Sequence, residues 1–164
     1  NMSNFLSTKK FGPISTSHRN WAAATNPNRD SVKCSWCHGY SRYVEFTFEG
    51  TLDRHQWVYD FGDCKFIKAW LEENWDHKTL VSALDPELPF LVEADTRNVL
   101  KLTIIPAKPG WGPGMEGSAK WIFDEINPQI LAKTEGRVSI QKVQIWEHEN
   151  NSAIYMAPTK ENNE

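Results

Sequence analysis

From Tyr40 to Gly50 the chain alternates strictly. Val44, Phe46 and Phe48 are apolar, whereas Glu45, Thr47 and Glu49 are polar. A period of two sends successive side chains to opposite faces of a pleated strand, so this segment predicts a half-buried antiparallel strand. Upstream, the stretch from Lys9 to Asn20 predicts a short strand ending near His18, and the Asn, Pro and Asp content of Asn26 to Ser31 predicts a loop after it. After Asp60 the period lengthens. Phe66, Ile67, Trp70 and Leu71 make one apolar stripe, predicting a helix capped by Asp63. A second helix is predicted from Met115 to Ile126, burying Ala119, Ile122, Phe123 and Ile126, with Asn127 and Pro128 ending or kinking it. Between the helices, residues 85–114 read as an excursion rich in Pro and Gly at its end. Within it Leu100, Leu102 and Ile104 alternate as an extra strand would. Val138 and Ile140 keep one phase and Val143 and Ile145 the other, which predicts a bulge near Gln141. Asn150 and Asn151 then turn the chain into a last strand.

The predicted order is strand, strand, helix, helix, strand, strand, an α+β domain spanning residues 1–164 with a frayed tail at about 158–164. A chain of 164 residues buries most of its unfolded surface, so it needs neither a disulfide nor a metal to hold its fold. A metal here would be functional. The net charge of −3 is spread over interspersed acids and bases, which lacks the basic footprint of a nucleic-acid partner. Apolar runs such as Leu102 to Ile105 are far below the ~20 residues of a membrane span, and the polar start lacks a signal-peptide core. These features predict a cytoplasmic protein with no membrane or nucleic-acid partner. Three cysteines is too few, and odd, for a disulfide framework.

The candidate chemistry sits at predicted element ends. Cys34 and Cys37 form a single CxxC, but a structural zinc site wants four ligands in two clusters and no second CxxC exists. Two inert thiols near a strand start is the competing reading, and a reversible Cys34 to Cys37 disulfide is a third. His18 closes one strand, Cys34 and His38 precede the next, Asp76 and His77 close the first helix, and Glu147 ends a later strand. Convergence of these residues at one rim of a rigid scaffold would make a site. His77 as a helix C-terminal cation, Glu147 as a solvated strand end and Cys64 as a packed thiol are the plain alternatives.

In order along the chain, "FGPISTSHRN", "CSWCHGY", "DFGDCK", "DHKTL", "MEGSAKWIFDEI" and "IWEHENNSAIY" resemble the landmarks of the 6-pyruvoyl- and 6-carboxy-tetrahydropterin synthase family. That resemblance implies the tunnelling fold: a four-stranded antiparallel sheet with two helices on one face, assembling as a trimer or hexamer around a β-barrel with active sites at subunit interfaces. It implies 7,8-dihydroneopterin triphosphate as substrate and Zn2+ as cofactor. His18 and His38 match two of the family's three zinc-binding histidines; Tyr40 stands where the third is expected. Tyr40 itself, Cys37, His148 or a water are the alternatives for that ligand. Cys34 matches the catalytic thiol, Asp76 and His77 the proton-relay pair, and Glu147 the carboxylate that anchors the pterin ring. Glu116 matches a glutamate at a helix start that supports the pocket, in an altered context, "PGME". The short interval from Cys34 to His38 is similar to the 6-carboxy branch, which serves queuosine and 7-deazaguanine biosynthesis. The 6-pyruvoyl reaction and a pterin-binding homologue without lyase activity are the alternatives.

Overall fold

The computed structural model describes residues 4–159, so the tail expected at 158–164 falls outside the described residues from 160 onward. Strands β1 (Phe5–His18), β2 (His38–Gly50), β3 (Lys78–Ser82), β4 (Leu102–Ile105), β5 (Val138–His148) and β6 (Asn151–Met156) form one sheet in the order β4-β3-β1-β2-β5-β6. Helices α1 (Arg29–Val32), α2 (Lys65–Asn74), α3 (Leu88–Thr96) and α4 (Met115–Lys133) lie between them. The expected antiparallel strands are present as β1, β2, β5 and β6. The sheet is nevertheless six-stranded and mixed, because β3 pairs parallel with β1 and β4 parallel with β3.

This correction has a simple cause. Thr79, Leu80 and Val81 are all buried, and a strand covered on both faces shows no alternation to read. The excursion is likewise built rather than irregular. Pro89 falls in the first turn of α3, where its missing N–H costs nothing, and β4 follows. The phase expected for β4 is off by one: Ile105 is buried and Ile104 is exposed.

The core lies between the sheet and two helices. Val44, Phe46, Phe48, Ile140, Val143 and Ile145 from the sheet meet Ile67 and Leu71 of α2 and Ile122, Ile126 and Ile130 of α4. Gln141 is the bulge, since Thr47 pairs with Lys142 and Phe48 with Ile140. Two element ends differ from expectation. The side chain of Asp60, not Asp63, accepts from Gly62 N at 2.8 Å and caps the 3-10 turn that leads into α2. Pro128 does not stop α4, which runs on to Lys133; burial of Ile126 and Ile130 holds the helix through it, and Asn127 accepts from Ile140 N at 2.8 Å.

Candidate active site

Pairing of β1 with β2 sets His18 opposite His38 and Thr16 opposite Tyr40. Opposed residues share a face, so one end of the sheet gathers three rings. The His18 and His38 centroids are 4.5 Å apart, His18 and Tyr40 5.6 Å, and His38 and Tyr40 5.4 Å. The expected trio is therefore assembled. Arg42, two positions beyond Tyr40 on the same face, is fully buried beneath it. Its Nη2 donates to Pro113 O at 2.7 Å and to His18 Nδ1 at 3.3 Å, its Nη1 donates to Ser118 Oγ at 3.3 Å, and its guanidinium carbon stands 5.3 Å from the Trp75 ring centre.

The start of α4 is held close enough to supply two of those partners. A Cβ added to Gly117 would sit 2.5 Å from Gly112 N, so only glycine lets the helix approach the Gly112–Pro113 backbone this closely. Glu116 is exposed at this helix start, where a carboxylate is favoured by the helix dipole. Glu147 continues the face of the buried Ile145. Its carboxylate lies beside Tyr40 and near Arg42; burial first, then this carboxylate, pushes the Tyr40 phenol up to about 12. Asn151 Nδ2 donates to Glu147 Oε1 at 3.0 Å. Cys34 is a free, exposed thiol near enough to Tyr40 for its charge to raise the same phenol. Its loop is pinned from below: Arg19 makes a bidentate pair with the buried Asp85, at 2.8 and 3.2 Å, and also donates to Ser35 O.

Asp76 and His77 stand on the other side of β1. They hydrogen bond to each other at 2.9 Å, His77 N donates to Ser15 O at 2.7 Å, and the His77 side chain is exposed. His77 takes a positive φ of 56°, which sets the pair at the entry of β3. An open depression of about 530 Å³ beside His77 is lined by Ser15, Ser17, Gly39 and Ser41, which alternate with Thr16, His18 and Tyr40 and so face away from the three rings. Within one chain, then, His18, His38, Tyr40, Glu147 and Cys34 form one group, and His77 stands apart from it across β1. His148 is exposed and bonded to Asn151, and Cys37 sits by Arg19 and Asp85, where burial raises its thiol. Cys64 is packed, its thiol pushed up to about 11 by burial.

Arg42 is the residue that motif reasoning passed over. Its signal was in the sequence: it is a charge in the buried phase of an alternation that continues through Val44, Phe46 and Phe48.

A mixed six-stranded α+β sheet whose antiparallel strands end in paired histidines and a glutamate is the architecture of a tunnelling-type protein. The profile of the 6-pyruvoyl tetrahydropterin synthase family matches residues 8–158, and the chain belongs to that family. Its fold is similar to that of an uncharacterized protein, WS1659, from Wolinella succinogenes, with a TM-score of 0.74 and 17% identity over 95% of this chain and 99% of that one. It is also similar to 6-pyruvoyl tetrahydropterin synthase of Caenorhabditis elegans, with a TM-score of 0.62 and 18% identity over 96% and 98% of the two chains. The Plasmodium vivax synthase gives 0.63 and 14% identity over 94% and 99%. No curated protein matches significantly. No helix among the described residues is long and apolar enough to cross a membrane.

The residues of the expected zinc site do not fit a metal ion. A metal needs an imidazole lone pair. Arg42 can only donate, so the lone pair of His18 Nδ1 is already taken and the proton of the neutral ring is on Nε2. Neutral it is: burial first, then Arg42 and His38, hold the imidazole down to about 3. Tyr40 offers a phenol where zinc takes imidazole, thiolate or carboxylate, and the fully buried Arg42 keeps a guanidinium beside His18. Among the described residues there is no group of three or more His, Cys, Asp or Glu arranged to hold a metal.

Proposed function

We propose that the protein is a tetrahydropterin synthase-type lyase that takes 7,8-dihydroneopterin triphosphate and water to 6-carboxy-5,6,7,8-tetrahydropterin, acetaldehyde and triphosphate, the reaction that serves queuosine and 7-deazaguanine biosynthesis. The observation that carries it is the gathering of Glu147, Tyr40 and Cys34 at one sheet end in a chain matched to this family over residues 8–158. Glu147, flanked by Tyr40 and largely shielded from water, accepts hydrogen bonds from the pterin 2-amino and ring N–H groups, a paired recognition that fixes the ring. Cys34, exposed near Tyr40, takes a proton from the substrate side chain as general base.

Asp76 orients His77 through their hydrogen bond, and His77 exchanges a proton with a side-chain hydroxyl. In a cytoplasmic homo-oligomer, trimer or hexamer, this pair is brought to Cys34 from a neighbouring copy. Glu116 supports the pocket from the start of α4. No step is routed through zinc, because His18, His38 and Tyr40 do not offer it a ligand set.

Incubation of the purified protein with the triphosphate tests this reading. Acetaldehyde and triphosphate together support it. Triphosphate alone favours the 6-pyruvoyl reaction. Tight pterin binding with no product, a reading favoured by Tyr40 in place of the expected histidine, would mean a pterin-binding protein without lyase activity.

A further inference from the structure

We propose that Arg42 is a positioning residue that holds His18 as an Nε2–H donor, making this a metal-free site in which a ligand hydroxyl is held by hydrogen bonds where relatives would coordinate a cation. Three observations carry it. Arg42 has no acceptor atom, so its 3.3 Å contact fixes the direction of the bond to His18 Nδ1. His38 is set the opposite way: its Nδ1 meets the Trp36 carbonyl, which only accepts, so the proton of the neutral ring is on Nδ1 and its Nε2 keeps a lone pair. The two rings, 4.5 Å apart, thus present one N–H and one acceptor. A hydroxyl is the group that satisfies both at once, since it donates and accepts.

Arg42 itself is locked. It is fully buried, bonded to Pro113 O and Ser118 Oγ, and stacked near Trp75, so it cannot swing away to release His18. Among the described residues the buried Arg42 Nε has no partner of its own. The hydroxyl as ligand rests on the pterin reading, whose substrate carries a side-chain diol; the exclusion of metal does not.

The ring nitrogens of 15N-labelled protein can be read by long-range proton–nitrogen correlation at neutral pH. His18 is expected as the Nε2–H form and His38 as the Nδ1–H form, both unchanged by equimolar Zn2+, and zinc is expected to wash out on dialysis. A His18 protonated on Nδ1, or one zinc retained per chain, overturns the proposal whether or not the protein turns over pterin. Tyr40→His alone is expected to gain no zinc, because Arg42 still occupies His18. Tyr40→His combined with Arg42→Met is expected to bind it at least ~100-fold more tightly than the single variant. Stoichiometric zinc in the single variant, or no gain in a folded double variant, would refute the role of Arg42. If the double variant does not fold, the tautomers of the unmodified protein and the single variant decide.

Discussion

The two halves of strand β2 share one backbone pattern and carry opposite contents. From Val44 to Phe48 the inward face is apolar and fully buried, and Phe46 stacks 6.1 Å from Phe48 and meets Phe11 edge-on at 5.8 Å. From His38 to Arg42 the same face holds two polar rings above a buried cation. The apolar half is stabilised by removal of surface from water, which needs no particular partner. The polar half is stable because most of its buried polar atoms find a partner, Arg42 through both terminal nitrogens and the face of Trp75. An alternation that keeps its period but changes its residue class is therefore where this sheet stops being core and becomes a site.

The largest effect should come from the apolar half. Phe46→Ala is expected to lower folding stability by about 4 kcal/mol, read as a shift of the urea midpoint, because a large ring leaves a cavity that the packed sheet cannot close. A loss under about 1 kcal/mol would mean that this half does not dominate stability.

In the polar half, Cys34→Ala should lower kcat by ~10²–10⁴-fold while leaving the melting temperature unmoved, since the thiol is exposed and free. Full turnover in that variant would remove Cys34 from the chemistry. Acid should also weaken this half selectively. The folded chain holds His18 near 3, whereas the unfolded chain protonates it near 6.5, so below pH 6.5 only the unfolded state gains the proton. Stability then falls with pH by about 1.4 kcal/mol per unit, or about 2 kcal/mol between pH 6.5 and 5, and the fall continues until the folded-state value is reached. Urea titrations across that window should show this slope in the unmodified protein and lose it in His18→Gln. The smallest effect lies outside both halves of β2: Asp60→Ala removes the cap of the turn into α2 and should cost about 1 kcal/mol, read from the urea midpoint.

Legibility followed the same division. Strand β2, the stripe of α2 and the bulge at Gln141 could be read from periodicity, because each has one face in water and one in the core. β3 could not be read, being buried throughout, and the 88–96 helix lay hidden behind Pro89. At the site, His18, His38, Tyr40 and Glu147 were legible as residues and even as neighbours. The direction of their hydrogen bonds was not, since it is set by Arg42, and the partners of Arg42 come from residues 113 and 118, more than 70 positions away.

By itself the sequence determined which side chains share a face of each antiparallel strand, and that a histidine pair, a tyrosine and a glutamate would end the sheet together. That information is local, because strand period and turn chemistry act over a few residues. Only the tertiary structure decided that the sheet takes two parallel strands and that a guanidinium sits beneath the rings. Parallel pairing and burial of a charge both depend on groups brought from distant parts of the chain, and no window along the sequence contains them.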